Sequence, residues 1–212
     1  MIVPPSISLP EPDLSATALR SAFAGAPRLD LGQSWNPARK DHFQPGAVRI
    51  ARSAASLFIL ADLRDLCLRT AATGDNQRFW ELGDTFEIFL RDTARADYLE
   101  LHVCPAGHRL QLRLPSAEAV AAIRREKRDP LAHAVSEPLF SYSVMPEEKG
   151  WLVFAEIPFS SISPEPFDTL LASFGRYDYG EDGPPVLSST SAHPVLDFHR
   201  QEEWARISLG NS

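Results

Sequence analysis

The chain has 212 residues, a formal net charge of -7 and a sequence pI near 5.4, which argues against a polyanion-binding surface, because neutralising phosphates takes clustered Lys and Arg with little opposing charge. The length suits one domain with one sizeable core, and no stretch approaches the roughly 20 apolar residues of a membrane-spanning helix. Neither nucleic acid nor a membrane is expected as a partner, and the opening MIVPPSISLPEP lacks the basic start and apolar run of a secretory signal, so the chain reads as cytoplasmic or already processed, the initiating Met1 favouring the first.

Eighteen prolines and 11 glycines punctuate the chain into short segments that suit strands and turns. Residues 1 to 12 read as an extended tail and 13 to 24 as a short helix, both within an N-terminal extension, 1 to 46, packed on a domain spanning 47 to 212. Ala47 to Arg52 and Ser56 to Leu63 form a hairpin of two strands rich in β-branched and large apolar residues. Cys67 follows, and with Cys104 it reads as a buried free thiol.

Thr85 to Leu90 supplies a third strand. If Phe86, Ile88 and Leu90 pack inward, the two-residue period of a strand puts Glu87 on the other face with Phe89. In the next strand, Asp97 to Val103, Leu99, Leu101 and Val103 alternate against Tyr98, Glu100 and His102. After a turn at Cys104 to Gly107, Arg109 to Leu114 alternates again, with its leucines on one face and Arg109, Gln111 and Arg113 on the other. We expect that polar face to lie beside Tyr98, Glu100 and His102.

Residues 116 to 129 form the one convincing helix, capped by Ser116 and stopped by Pro130; its basic run, Arg124 to Arg128, reads as a solvated helix end. Phe140 to Val144 and Trp151 to Ile157 make another hairpin. With Leu170 to Tyr177, Val186 to Ser189 and Ala205 to Leu209 the total is nine or ten strands, the signature of a sandwich or barrel.

Five pieces then occur in a telling order: Trp80, Gly83, Asp84, Glu87, Phe89 and Leu90; YLELHVCPAG from Tyr98 to Gly107; GWLVFAEIPF from Gly150 to Phe159; FGRY from Phe174 to Tyr177; and FHRQEEWA from Phe198 to Ala205. Together, from about Ala47 to Leu209, they resemble the family 9 carbohydrate-binding modules and their DOMON-type cousins. That resemblance implies an all-β, immunoglobulin-like or jelly-roll-type sandwich with a short helical insertion, acting as a non-catalytic domain that holds a saccharide or other small polar ligand. A pyranose stacks its C–H face on an aromatic ring while its hydroxyls need polar side chains around them. Trp80 is the candidate for stacking, Glu87 and Arg109 for hydroxyl contacts, Glu100 and Gln111 for the same polar face, and Arg176 for closing the pocket.

The sugar-binding members carry a second tryptophan late in the chain, whereas Pro184 to Ser191 has no aromatic residue, so the stack on Trp80 is one-sided. Trp35 is a secondary candidate, and Trp151 and Trp204 read as packing residues. No cofactor is expected beyond structural calcium, for which the hard oxygens of Asp178, Glu181 and Asp182 are candidates. The alternative function is a structural or protein-interaction sandwich that has lost the sugar pocket. A hydrolase would draw on a carboxylate pair, Asp84 with Glu87 or Glu87 with Glu100.

Overall fold

The computed structural model describes residues 1–10, 14–36, 38 and 42–210. Two antiparallel sheets face each other. The first runs in the order β1 (Arg28–Asp30), β2 (Gly46–Arg52), β3 (Ser56–Arg64), β8 (Gly150–Pro158), β7 (Ser141–Glu147). The second runs β10 (Val186–Ser189), β9 (Thr169–Asp178), β4 (Thr85–Asp92), β5 (Tyr98–Val103), β6 (Arg109–Leu114), with β11 (Ala205–Ser208) beside the start of β9. Among the described residues four short α-helices accompany the sheets: α1 (Ala16–Ala22), α2 (Phe79–Leu82), α3 (Ala117–Arg125) and α4 (Phe159–Ile162). The β-sandwich is thus as expected, and no helix among the described residues is long and apolar enough to cross a membrane.

The main core lies between the sheets, where alternate residues such as Ile50, Ile59, Phe86, Ile88, Leu101 and Val153 meet with no exposure. The inward set of β4 and β5 is the one the alternation predicts. Trp151 is fully buried in this core. The first residues join both sheets: Ile2 bridges Ile207 of β11, and Ser6 bridges Arg52 of β2. Helix α1, capped by the Ser15 hydroxyl, lays Leu19 and Phe23 against Phe58, Leu60 and Phe154 on the outer face of the first sheet.

The outer face of the second sheet carries an apolar layer of its own. Phe89, Tyr98, Leu110, Leu112 and Leu114 meet Phe79, Val120 and Trp204 there. Much of the outer face of this sheet is therefore covered as well, unlike an ordinary antiparallel sheet with one face in water.

The covering helix is shorter than the predicted 116–129. Ser116 caps it by accepting from the Ala119 N–H at 3.1 Å, as expected, but it ends at Arg125. Lys127 takes a left-handed φ of 53° and donates its N–H to the Arg124 carbonyl, while Arg128 donates to that of Ile123. These two bonds close a Schellman motif with a lysine in the place usually held by glycine, so no residue type announced it. Pro130 instead opens a separate short 3₁₀ turn ending at His133. Cys67 is a second correction: Cys104 is buried, but Cys67 lies half-buried in the loop after β3, beside the exposed Leu66 and Leu68.

Candidate functional site

The short stretch before β4 is built around a close approach. Gly83 has φ 147°, and a Cβ there would stand 2.4 Å from the Arg69 carbonyl oxygen, so only glycine lets residues 69–70 pass. Asp84 then joins three segments: it accepts from the Arg69 N–H and, at 2.7 Å, from that of Tyr179. The Tyr179 hydroxyl donates to the Trp80 carbonyl at 2.6 Å. The tryptophan is thereby fixed, half-buried, at the mouth of a cavity of about 610 Å³ over the second sheet.

Glu87 of β4, Glu100 of β5 and Tyr177 of β9 form the cavity floor, and the walls are Trp80, Arg124 of α3, and Phe198 with His199. Glu87 and Glu100 are only 3 % and 6 % exposed. Their neighbours in register explain the arrangement: Glu87 lies between His102 and Gly175, and Glu100 beside Phe89. At Gly175 a Cβ would meet the Phe198 ring at 2.9 Å and a Glu87 oxygen at 3.1 Å, so this glycine lets the ring settle onto the floor.

A line of polar groups runs through and beneath the floor. The Tyr98 hydroxyl and His199 Nδ1 are 2.5 Å apart, His199 Nε2 lies 3.8 Å from Glu100 Oε2, Glu100 Oε1 is 2.7 Å from His102 Nε2, and His102 Nδ1 faces Glu87 Oε1 at 3.5 Å. That last pair is an ion-pair distance without hydrogen-bond geometry, and among the described residues Nδ1 has no hydrogen-bond partner. Burial pushes Glu87 up to about 7; His102 opposes the shift and the Glu100 charge adds to it. Burial also works on Glu100, but His199 and His102 outweigh it and hold that carboxyl below its usual range. His102 is raised, since the pull of Glu87 and Glu100 exceeds its own desolvation, whereas desolvation dominates at His199 and lowers it. Burial raises the Tyr177 phenol as well.

Trp80, Glu87 and Glu100 are thus brought together, and the other expected site residues are not. In β6 the register sets Leu112 beside Glu100 and Gln111 beside Leu101, so the leucines share the cavity face and Arg109, Gln111 and Arg113 point the opposite way. The alternation was read correctly, but the face was misjudged because a covering layer makes the outer side the apolar one. Gln111 donates to the carbonyls of Val135 and Glu137, each at 2.8 Å, and accepts from the Leu139 N–H at 2.9 Å, stitching a strap to the sheet edge. Arg109 reaches the Phe140 carbonyl at 3.4 Å. Arg176 shares a face with Phe86 and Ser188, away from the cavity, and is fully buried between Asp65 at 3.0 Å and Asp178 at 3.2 Å.

That ion cluster bears on structural calcium. Glu181 and Asp182 are exposed, while Asp178 gathers with Asp65 and Asp84, each offering an oxygen within 4.8 Å of the others. The Arg176 guanidinium already bonds two of the three carboxylates, so the residues do not fit an added calcium ion. Burial raises Asp84 to about 7 and Asp178 to about 6 even so.

Tyr177, Phe198, His199 and Arg124 were missed as cavity residues. Arg124 belongs to the basic run assigned to a solvated helix end; it is exposed but donates to Asp197 at 2.9 Å across the rim. Trp35 packs half-buried on Phe198 and His193, and Trp204 is buried against Phe89 and Tyr98.

No protein-family model matches the chain, and no curated protein sequence matches it. Solved structures do. A candidate carbohydrate-binding protein from Bacteroides uniformis superposes with a TM-score of 0.74 at 17 % identity, covering 99 % of this chain and 98 % of that one. A family 9 carbohydrate-binding module from Caldicellulosiruptor kristjanssonii, solved with cellotriose, gives 0.61 at 14 % identity over 100 % and 94 % of the two chains. The module solved with glucose gives 0.62 at 14 % over 100 % and 96 %. The chain has the fold of the family 9 carbohydrate-binding modules.

Proposed function

We propose that the protein is a non-catalytic module that holds a saccharide over the floor carboxylates, against the indole of Trp80. The observation that carries this reading is the convergence of a half-buried indole with two nearly buried carboxylates, Glu87 and Glu100, in one cavity. An aromatic face takes the apolar side of a pyranose, and fixed carboxylates accept its hydroxyls strongly because they are desolvated already. Phe198 and Tyr177 line the same cavity and compensate for the missing late tryptophan. Arg124 is the donor at the rim. The likeness in fold to modules solved with glucose and cellotriose supports the same ligand class. Arg109, Gln111 and Arg176 take no part.

Titrating glucose and cellotriose while following tryptophan fluorescence and heat tests the proposal. Millimolar affinity corresponds to only about -4 kcal/mol, so silence at tens of millimolar with both sugars overturns it. Removing an aromatic contact is worth about 0.5 to 1.5 kcal/mol, so Trp80→Ala should weaken binding up to roughly tenfold. A folded Trp80→Ala protein that binds as well as the parent removes the indole from the site. Cellotriose should be recovered uncleaved after prolonged incubation.

A further inference from the structure

His102 poses a question that saccharide binding does not answer. Its ring is fully buried beneath the floor carboxylates, with one of them at each end. On the Nε2 side the 2.7 Å contact with Glu100 is a normal charge-assisted hydrogen bond. On the Nδ1 side Glu87 Oε1 stands off at 3.5 Å and Nδ1 has no hydrogen-bond partner among the described residues, although a buried polar nitrogen without a partner is costly. The gap is too long for a strong hydrogen bond. It matches instead the span of about 3.3 Å between two donors on one tetrahedral zinc ion, whose bonds are about 2.0 to 2.2 Å.

We propose that Glu87, Glu100 and His102 hold a divalent transition-metal ion at the base of the cavity. Glu87 Oε1 and His102 Nδ1 are the facing donors. Glu100 fixes the ring through Nε2, the carboxylate–imidazole–metal arrangement that orients ligating histidines, and one donor atom from each of the three residues lies within 4.8 Å of the others. Two carboxylates balance the dication. A mixed nitrogen and oxygen set favours zinc over calcium or magnesium, which prefer oxygen alone. Of the two facing donors only Glu87 lines the cavity, so the positions the protein leaves unfilled would go to water or a ligand hydroxyl arriving along that carboxylate. The site goes beyond the saccharide reading and stands whether or not a sugar binds.

The test uses the full chain freed of metal by a chelator. Zinc titrated by calorimetry should bind at one site, and Glu87→Gln, close in shape to the parent residue, should weaken it at least 100-fold. Glu100→Gln should cost roughly 10- to 100-fold, as for removal of an orienting carboxylate. Cobalt added to the metal-free protein should give the strong visible absorption of a four- or five-coordinate ion, which needs no variant to fold. Equal zinc affinity in the parent and Glu87→Gln, or a cobalt spectrum like that of the free hexaaquo ion, overturns the proposal. Glucose titrated into the metal-free protein tests the saccharide reading separately, so each can fail without the other.

Discussion

Gly175 offers the sharpest test of how the cavity is built. In Gly175→Ala the new methyl meets two carbons of the Phe198 ring at 2.9 Å, where ordinary contact begins near 3.4 Å, so the ring must retreat by about half an ångström. It has little freedom to do so, because Trp35, Phe89, Tyr177 and His193 surround it with ring centroids 5.9 to 6.3 Å away. The Glu87 oxygen at 3.1 Å blocks an alternative slide of the methyl. Overpacking of this kind costs about 1 to 3 kcal/mol, equivalent to roughly 2 to 4 °C in Tm per kcal/mol for a domain of this size. Urea unfolding followed by tryptophan fluorescence measures the loss. Saccharide affinity should fall with it, since both floor and wall shift. The decisive control is a cycle with Phe198→Ala: once the ring is gone, the alanine at 175 should be nearly neutral. A Gly175→Ala protein within about 0.5 kcal/mol of the parent, or the same penalty with and without the Phe198 ring, would refute this account of the wall.

Three other outcomes follow from residues outside the cavity. Gln111→Leu leaves two carbonyls and one N–H of the strap without their side-chain partner and should cost about 1 to 3 kcal/mol by urea unfolding, with the saccharide response unchanged; altered sugar affinity would contradict the strand register. Asp84 has a folded-state pKa near 7 against an ordinary 3.8, so the folded form keeps a proton that the unfolded chain has released. Its contribution is therefore full below about pH 4 and is lost as pH rises through 7. Asp84→Asn lacks that dependence, and the stability difference should move in the variant's favour between pH 4 and 8 at up to about 1.4 kcal/mol per pH unit; parallel curves for the two proteins would disprove the shift. Thiol labelling of the native protein should modify Cys67 within minutes and reach Cys104 only on unfolding, as read by mass spectrometry, because Cys104 has no exposure.

The sequence made strand identity and the inward sets of β4 and β5 legible, because a two-residue period is a local property. It also singled out Trp80, Glu87 and Glu100. What it could not convey was which face of β6 meets the cavity. Leu110, Leu112 and Leu114 would face the main core in a two-layer sandwich, but here a third layer from α3 and Trp204 covers the outer side, and that layer is a long-range event. Arg176 shows the same limit. An arginine in a strand reads as polar surface, and only the distant Asp65 makes its burial tolerable. The contribution of Arg124 was hidden for the opposite reason: a basic helix end is ordinary in isolation, and its place over the floor depends on how the helix lies across the sheet.

The third layer divides labour within the molecule. The two carboxylates come from adjacent strands whose spacing the sheet holds fixed, while Trp80, Arg124 and His199 ride on three connections far apart in the chain. Substitutions in those connections therefore reshape the lining of the bowl one wall at a time, with the ladder of paired strands beneath them left untouched.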